Sequence, residues 1–533
     1  MKYRLLSLIC IPLILASCQP KEPRAGHVIY LGFDAMSAVG IQRAETPNFN
    51  RMIDNGAVSL HTRCVRMTSS SQNWMSMVSA APIEIHGVLD NRWQPGNPEN
   101  VKPALTNAIG LFPTVFDHIR AQRPELKQYA FIEWTGETRM YDMSVFDKAS
   151  VSKLDTTIHS YKDVITKAFS TYLEERPEVL FLSMDITDHY GHTYGHESDE
   201  YLAMVSEMDA CVGGFVDALE AKGWMDDTVI IISADHGGAN FGHGGDSMAE
   251  YEIPIILYGK GVTKGKVLKR TSMVYDLGAT IAGLLGVELP WECRGKMLDE
   301  AFTPKPDNDV YVPIPFLHPY KGKVTGDITI TDDIEGAEVY YTLDGSEPDV
   351  NSIRYEGPFR IDGPTHIKSI AYRNGSCSDV VENYLYTSGN EPPVRYKLYL
   401  NTGDRTMPDF TKYGKPDSEG YISTFALDEF NLSTSDYFSV LMTSNLVVPE
   451  EADYVFEVCA DDGACLYVDG KLVVSNPNAH SVAVLARGPV HLTAGKHLLK
   501  VEYYEVTSTQ GLYIRYSVNG GDFNPLFLAE LER

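Results

Sequence analysis

The chain has 533 residues, which is too long for a single hydrophobic core and predicts two to four domains. Its apolar fraction of 44% and its charged fraction of 22% are those of ordinary globular domains. The formal net charge of −27 argues against binding of duplex nucleic acid, because such proteins need clustered Lys and Arg to contact the phosphate backbone.

The first eighteen residues have the pattern of a leader. Two basic residues precede an apolar run, 5–15, that is too short to cross a bilayer as a helix. The run ends in Leu-Ala-Ser-Cys at 15–18, which resembles a bacterial lipoprotein signal whose Cys18 is lipidated and anchors the chain in membrane lipid; a plain secretory signal is the alternative. Gln19 favours the outer membrane by the usual sorting rule, so we expect a lipid-anchored protein of the bacterial cell envelope, on either membrane face.

Short apolar strands alternate with helical patterns from residue 27 to about residue 298. The predicted strands are 28–33, 179–184, 229–234 and 253–258. The predicted helices are 46–55, 114–121, 201–222 and 274–285. This alternation predicts an α/β domain with a mostly parallel central sheet flanked by helices.

After residue 304 the helical periodicity disappears, and short alternating strands are separated by Asp-Gly and Asn-Gly turn signals. A Pro-rich break at 390–393 divides this region into two all-β modules. The predicted organisation is therefore a leader at 1–18, a linker at 19–26, an α/β domain at 27–305, and β-sandwich modules at 306–390 and 391–533.

Carboxylate and imidazole side chains follow the predicted strands of the first domain. Three aspartates each lie just beyond an apolar strand, namely Asp34, Asp188 and Asp235. The carboxyl ends of parallel strands line one crevice, and three carboxylates there repel one another unless cations neutralise them. Three histidines occur at ligand spacing, namely His192, His236 and His243. Any one of these six residues could be a strand-end cap or a solvated loop residue, but together they predict a metal site, and their chemistry favours zinc.

A hydroxyl-rich segment, 68–71, precedes an apolar-periodic run that stops near Pro82 and predicts a helix beginning at the serines. Helix capping is the simplest role for serines at such a position. The free N–H groups and the dipole of a helix N-terminus also favour an anion there. Beside zinc, a serine hydroxyl can be held as the alkoxide that attacks phosphorus, so we favour a nucleophile in this segment.

These motifs, in this order, resemble the alkaline phosphatase superfamily and, within it, the type I phosphodiesterase/nucleotide pyrophosphatase branch. The matching segments are 32–34, 46–49, 70–74, 86–91, 188–192, 234–238 and 276–286. The resemblance implies an alkaline-phosphatase-like core and a zinc-dependent phosphoester hydrolase with two catalytic zinc ions. A covalent phosphoserine would form and then be hydrolysed.

The resemblance also implies a role for each site residue. One zinc ion would be held by Asp188, His192 and His243. The other would be held by Asp34, Ser70, Asp235 and His236. Ser70 would be the nucleophile, with Ser69 and Ser71 left open, and Asn91 would hydrogen-bond a phosphoryl oxygen.

Two departures from the branch leave the substrate open. The segment 70–74 reads Ser-Ser-Gln-Asn-Trp, where the branch usually has Thr-aromatic-Pro-Asn-His, and the third histidine follows 235–236 closely. A phosphomonoesterase on the same scaffold is therefore the alternative. A sulfatase-like hydrolase is less favoured because Cys/Ser-x-Pro-x-Arg is missing from 70–74. A catalytically inactive, glycan-binding surface lipoprotein is less favoured because every site position is chemically competent.

The two β-modules carry resemblances of their own. Segment 337–348 is similar to the chitobiase/hexosaminidase C-terminal sandwich, and segment 460–470 is similar to the fourteen-kilodalton protective-antigen domain. Some members of the latter bind glycans through an Asp-Asp loop that holds calcium. An ordinary tight turn is the simpler role for Asp461 and Asp462, and binding of Ca²⁺ by this pair is the alternative. These modules would do no chemistry. Because modules of the second kind occur on many sugar-processing enzymes, they suggest a carbohydrate-bearing substrate or a glycan surface as partner. The predicted substrate of the first domain is an exposed phosphoester on a glycan or a nucleotide.

Overall fold

The computed structural model describes residues 23–152, 159–245, 247–304, 310–320, 322–331, 336–387, 389–427, 430, 436–479, 484–507, 510–526 and 531–532. Within these ranges, no helix has both the length and the apolar character needed to span a membrane. The predicted lipidation site Cys18 and the predicted domain boundary at 305/306 fall outside them.

The first domain is built of alternating strands and helices. Its strands are β1 (His27–Phe33), β2 (Ala57–Arg63), β3 (Gln128–Ile132), β4 (Lys148–Val151), β5 (Val179–Met184), β6 (Thr228–Ser233), β7 (Glu252–Gly259) and β8 (Lys266–Val267). Its α-helices are α1 (Ala38–Arg43), α2 (Pro47–Asp54), α3 (Ser70–Ser79), α4 (Ile83–His86), α5 (Val115–Gln122), α6 (Tyr161–Glu175), α7 (Ile186–Tyr194), α8 (Asp199–Ala221), α9 (Met248–Tyr251) and α10 (Asp276–Leu284). Short 3-10 helices lie at Thr135–Arg139, Met143–Val145, Trp224–Asp226 and Asp299–Phe302.

The described strands of this domain form one sheet in the order β4-β3-β5-β1-β6-β7-β2-β8. The central pairings, β3 with β5, β5 with β1 and β1 with β6, are parallel, whereas β7 runs antiparallel to β6 and β2. Strands β1, β5 and β6 are buried along their whole length, which explains why their sequences are continuous apolar runs. The predicted α/β fold class with a mostly parallel sheet is confirmed.

The described chain beyond residue 310 contains strands and one short 3-10 helix, Phe410–Lys412. The first group of strands is β9 (Phe316–His318), β10 (Gly322–Val324), β11 (Thr329–Thr331), β12 (Glu338–Thr342), β13 (Ile353–Arg354), β14 (Thr365–Arg373), β15 (Ser376–Cys377) and β16 (Val381–Thr387). The second group is β17 (Val394–Leu400), β18 (Ser418–Ile422), β19 (Phe438–Val448), β20 (Ala452–Asp461), β21 (Gly463–Val468), β22 (Lys471–Asn476), β23 (Val484–Leu492), β24 (Gly495–Glu505), β25 (Gly511–Val518), β26 (Asn524–Pro525) and β27 (Leu531–Glu532).

Each group of strands has its own hydrophobic core. In the first group, β10, β16, β14, β12 and β13 follow one another in a sheet, β15 pairs with β14, and β9 pairs with β11. In the second, a sheet in the order β18-β17-β19-β24-β21-β22 faces a sheet in the order β23-β20-β25-β26 across one shared core. The predicted β-sandwich class of the C-terminal region is confirmed.

Helix α3, which carries the serine segment, is buried along its whole length and packs against β1. The close approach requires Gly32, because an added Cβ there would lie 2.5 Å from Cη2 of the Trp74 ring. The same ring donates from Nε1 to Asp34 Oδ2 at 3.0 Å. A strand glycine, a helix tryptophan and a strand-end aspartate thus fix the position of the serine helix relative to the sheet.

We expect Gly32→Ala to destabilise the first domain by about 1–3 kcal/mol, because the rigid indole cannot yield to the added methyl group without moving. The matched control is Gly214→Ala, at an exposed position of α8 where nothing lies within 4 Å of an added Cβ. That substitution should be neutral or stabilising by up to about 1 kcal/mol. Urea unfolding followed by tryptophan fluorescence measures both, and equal stability of the two variants would contradict the packing described.

A carboxyl group is buried inside this domain at Glu137. Its side chain accepts hydrogen bonds from Ser183 Oγ and from Tyr141 OH, the latter at 3.1 Å. Burial raises the pKa of Glu137 to about 8, although both hydrogen bonds act in the opposite direction. The group therefore stays protonated in the folded chain at neutral pH.

The raised pKa of Glu137 predicts a stability difference that depends on pH. Above the ordinary value of 4.5 the unfolded carboxyl group ionises while the folded one keeps its proton until about pH 8. Wild-type stability relative to Glu137→Gln should therefore fall by a few kcal/mol as the pH rises from about 5 to about 8, and remain constant below pH 4. Urea unfolding of both proteins across this range measures the difference, and a flat difference would contradict the raised pKa.

Candidate active site

The three strand-end aspartates meet at one edge of the sheet. Asp34 follows β1, Asp188 lies in the first turn of α7 just beyond β5, and Asp235 follows β6. Because β5, β1 and β6 are adjacent parallel strands, their carboxyl ends bring these side chains into one crevice. Ala35 N donates to Asp235 Oδ1 at 3.2 Å, which ties the loops after β1 and β6 together.

Two histidines lie against Asp188. His192, one helical turn further along α7, places Nε2 3.3 Å from Asp188 Oδ2. His243 places Nε2 3.6 Å from Asp188 Oδ1. The ligand atoms of these three residues all lie within 4.8 Å of one another, as a shared metal ion requires. The side chain of His192 is 45% exposed, so the site opens to solvent at this residue.

A second group surrounds His236, which is completely buried. Its Nε2 lies 3.3 Å from Asp34 Oδ1 and 3.3 Å from Asp235 Oδ2. The ligand atoms of Asp34, Asp188 and His236 also lie within 4.8 Å of one another. Asp188 therefore belongs geometrically to both groups, whereas the sequence prediction gave it to one zinc ion.

The three histidines present the same ring nitrogen to the site. In each of them Nδ1 donates to a main-chain carbonyl oxygen, which can only accept, so Nε2 of the neutral ring carries the lone pair. The acceptors of His192, His236 and His243 are the carbonyls of Phe241, Gly237 and Thr68, at 2.7, 2.7 and 2.9 Å. Such hydrogen bonds fix the tautomer and the ring orientation of metal-binding histidines.

The electrostatics of the crevice fit a cation. Asp34 Oδ1, Asp188 Oδ1 and Asp235 Oδ2 are buried and accept no hydrogen bond from any residue of the described chain. Burial and the repulsion of the neighbouring carboxylates raise the pKa of Asp34 and of Asp235 well above its usual range. Against the effect of burial, His192 and His243 hold the pKa of Asp188 below its usual range. Carboxylate and imidazole donors at these separations fit divalent metal ions, and the donor set suits zinc.

Among the three candidate serines, the Ser70 hydroxyl faces the second group. Ser70 is the first residue of α3, and its Oγ lies 3.4 Å from His236 Nε2. Ser69 is the N-cap of α3 and makes no side-chain capping bond. The Ser71 hydroxyl instead accepts a hydrogen bond from Arg139 Nη2 at 2.7 Å. Of the three hydroxyl groups, that of Ser70 is thus placed against the second group, and its role as the nucleophile stays a prediction.

Asn91, the predicted phosphoryl-binding residue, lies beside the serine segment. Its side-chain Oδ1 accepts from Ser71 N at 2.8 Å, and its main-chain oxygen accepts from Arg139 Nη2 at 2.8 Å. Sequence reasoning missed Arg139, which lies in a 3-10 helix far from both partners in the chain. It also missed Trp74, the indole that donates to Asp34. Neither residue shows a spacing pattern that would have identified it.

In the predicted calcium loop, Asp461 and Asp462 are both buried. Asp462 Oδ2 accepts from Val506 N at 2.7 Å. Among the described residues, the groups of three or more side chains placed to share a metal ion are the two in the first domain, and neither includes Asp461 or Asp462.

Comparisons with known proteins agree with this arrangement. Residues 28–252 match the model of the type I phosphodiesterase / nucleotide pyrophosphatase family, residues 328–384 match the Fn3 associated model, and residues 420–522 match the PA14 domain. The mouse protein ectonucleotide pyrophosphatase/phosphodiesterase family member 7 is 26% identical over 245 residues, covering 43% of this chain and 54% of the relative. The human GPI ethanolamine phosphate transferase 3, catalytic subunit, is 28% identical over 166 residues, covering 30% of this chain and 14% of the relative.

Solved structures show weaker similarity. A murine ectonucleotide pyrophosphatase / phosphodiesterase 5 structure has a TM-score of 0.42 at 16% identity, over 50% of this chain and 96% of that one. A structure of wild-type alkaline phosphatase PafA has a TM-score of 0.42 at 12% identity, over 53% of this chain and 99% of that one. The chain spans about half the length of the first curated relatives it matches. Most of the first domain, residues 28–252, is thus similar in sequence to the type I phosphodiesterase / nucleotide pyrophosphatase family.

Proposed function

We propose that the chain is a zinc-dependent phosphoester hydrolase of the phosphodiesterase/pyrophosphatase type that acts through a phosphoserine at Ser70. The observation that carries the proposal is the convergence of three aspartates and three histidines, remote in sequence, beside one serine hydroxyl. Asp188, His192 and His243 would hold one zinc ion, and Asp34, Asp235, His236 and Ser70 would hold the other. Bound zinc would supply Lewis-acid stabilisation of charged oxygens and a lowered pKa for a coordinated hydroxyl group.

Ser70 Oγ attacks phosphorus, an O–P bond forms, and the bond from phosphorus to the leaving-group oxygen breaks. A water molecule then attacks the same phosphorus atom and releases the serine. Ser70 is suited to this role because it begins α3, where the helix dipole favours the negative charge of the phosphoryl group. Asn91 is suited to bind a phosphoryl oxygen, because its Oδ1 is engaged by Ser71 N and its Nδ2 is left as the donor.

Arg139 contributes positive charge beside this site. Its guanidinium group bridges the Ser71 hydroxyl and the Asn91 carbonyl, and it lies 5.3 Å from the centre of the Trp134 ring. By holding Ser71 and Asn91 together, it orients the asparagine toward the phosphoryl position. Local charge of this kind matters because the chain as a whole, with a net charge of −27, repels anionic substrates at long range.

We propose in addition that Cys18 anchors the chain in the bacterial envelope, most consistently in the outer membrane. The support is the basic, apolar and Leu-Ala-Ser-Cys pattern of residues 1–18. An exposed phosphoester, linked to a nucleotide or a glycan, would be the substrate class. The names of the relatives support a nucleotide-linked substrate, and the similarity to PA14 domains supports a glycan-linked one. Calcium binding at Asp461 and Asp462 stays a prediction, since neither residue is in the two described groups of three ligand atoms.

Replacing the nucleophile tests the covalent mechanism. In the chain that begins at residue 19, Ser70→Ala should lower kcat on a bis-aryl phosphate by about 1,000-fold or more, because the attacking atom is removed. Ser69→Ala and Ser71→Ala are the matched controls and should each retain activity within about tenfold, since neither removes the nucleophile. Release of the aryl alcohol measures the rates. Wild-type activity in Ser70→Ala, with loss in a neighbour instead, would contradict the assignment.

Metal removal tests the proposed cofactor. A chelator should abolish hydrolysis, added Zn²⁺ should restore it, and Mg²⁺ or Ca²⁺ should not, because imidazole ligands favour zinc over the oxygen-seeking ions. Asp235→Asn should remain inactive at saturating zinc. Rates on an aryl monophosphate, a bis-aryl phosphate and an aryl sulfate also rank the substrate classes. A faster rate on the monophosphate would select the phosphomonoesterase alternative, and activity unaffected by chelation would contradict the metal mechanism.

A further inference from the structure

A short turn, 239–242, lies between the two ligand histidines of the loop after β6. Ala239 N donates to Gly242 O at 3.0 Å, and Gly242 N donates to Ala239 O at 3.1 Å. Asn240 adopts the left-handed conformation, with φ of 50°, which closes the turn. The turn is therefore a defined structure rather than an open loop, and His243 follows it directly.

The main chain of this turn holds the end of the helix that carries His192. The carbonyl oxygen of Asn240 accepts from His196 N at 2.6 Å, just beyond the last residue of α7. The next carbonyl, that of Phe241, accepts from His192 Nδ1 at 2.7 Å. The position of the turn thus sets the direction in which His192 Nε2 faces the site.

The side chain of Phe241 does not belong to the hydrophobic core of the first domain. It is 5% exposed and belongs to the hydrophobic core of the C-terminal sandwich, together with residues such as Phe425, Phe430 and Phe438. In the described chain, it is the one residue before Val394 in that core. Its Cζ atom would lie 3.6 Å from a Cβ added at Gly195, so the ring also covers the end of α7.

We propose that the C-terminal sandwich is a positioning element of the metal site and acts through Phe241. Burial of the ring in the sandwich holds the turn, and the Phe241 carbonyl holds the tautomer and orientation of His192. Phe241 is a positioning residue and touches no reacting atom. This inference rests on the proposed function, because it assumes that His192 binds a metal ion. According to this inference, the C-terminal sandwich is necessary for full zinc affinity, in addition to any role as a spacer or glycan binder.

Zinc affinity tests the proposal separately from catalysis. In the chain that begins at residue 19, stripped of metal, competition with a chromophoric chelator measures the affinity of each zinc ion. We expect Phe241→Ala to lower the affinity for one of the two zinc ions by about 10- to 100-fold. This is the range found when a residue that orients a metal ligand is lost. Phe241→Leu should keep most of the wild-type zinc affinity, because leucine still fills the apolar core. The zinc affinity of Phe241→Val should lie between those of the leucine and alanine variants.

The control is Val474→Ala, which removes buried volume from the same core on β22 but leaves the Phe241 ring in place. It should lower the urea midpoint of the sandwich while both zinc affinities stay at the wild-type value. Where Phe241→Ala does not fold, the leucine and valine variants carry the comparison. Unchanged zinc affinity throughout the Phe241 series, or an equal loss in Val474→Ala, overturns the inference alone. Absence of zinc binding by the wild-type chain overturns the proposed function and the inference with it.

Discussion

Three carboxylates are buried at one edge of a sheet, where they repel one another. The arrangement of the other groups in the site depends on this repulsion. Asp34, Asp188 and Asp235 each keep an oxygen that accepts no hydrogen bond within the described chain, although their surroundings supply donors to the other atoms. A stable fold can tolerate such an arrangement when protons or metal ions neutralise the charge. Three imidazole rings with their Nε2 atoms turned inward point to metal ions as the neutralising species.

The sheet and the helix packing set this geometry before any ligand is considered. The adjacency of β5, β1 and β6 brings the aspartates together, and the contact of Gly32 with Trp74 brings the serine helix to the same edge. Main-chain carbonyl groups then orient the histidines. Asp188 lies within reach of both metal groups, so its two oxygens connect the parts of the site that the sequence prediction separated.

The sequence predicted the centre of the fold well and its periphery poorly. Strands β1, β5, β6 and β7 agree with prediction to within one residue at each end, because buried strands are continuous apolar runs. Strands β2, β3, β4 and β8 were not predicted. Strands β4 and β8 are short and lie at the two edges of the sheet. Strand β2 mixes apolar and polar residues without a clear period. The convergence of the six candidate ligand residues could be predicted because the carboxyl ends of adjacent parallel strands line one crevice, whereas metal binding and the individual roles of these residues stay predictions.

The contributions of Arg139 and Phe241 could not have been predicted, because each acts through contacts made across large distances in the chain. Arg139 reaches the serine segment from a 3-10 helix after β3. Phe241 links the metal loop to a module that sequence reasoning treated as an appendage without chemistry. The C-terminal sandwich packs around a residue whose carbonyl orients a ligand histidine, which gives that module a physical connection to the site.

The central claim is that six side chains hold two divalent ions beside Ser70. A crystal structure of the zinc-loaded chain, with anomalous diffraction recorded at the zinc edge, tests it most directly. The account predicts two zinc peaks per chain, one bounded by Asp188, His192 and His243 and one bounded by Asp34, Asp235 and His236. A map with no zinc peak at these residues, from crystals grown with excess zinc, would contradict the account.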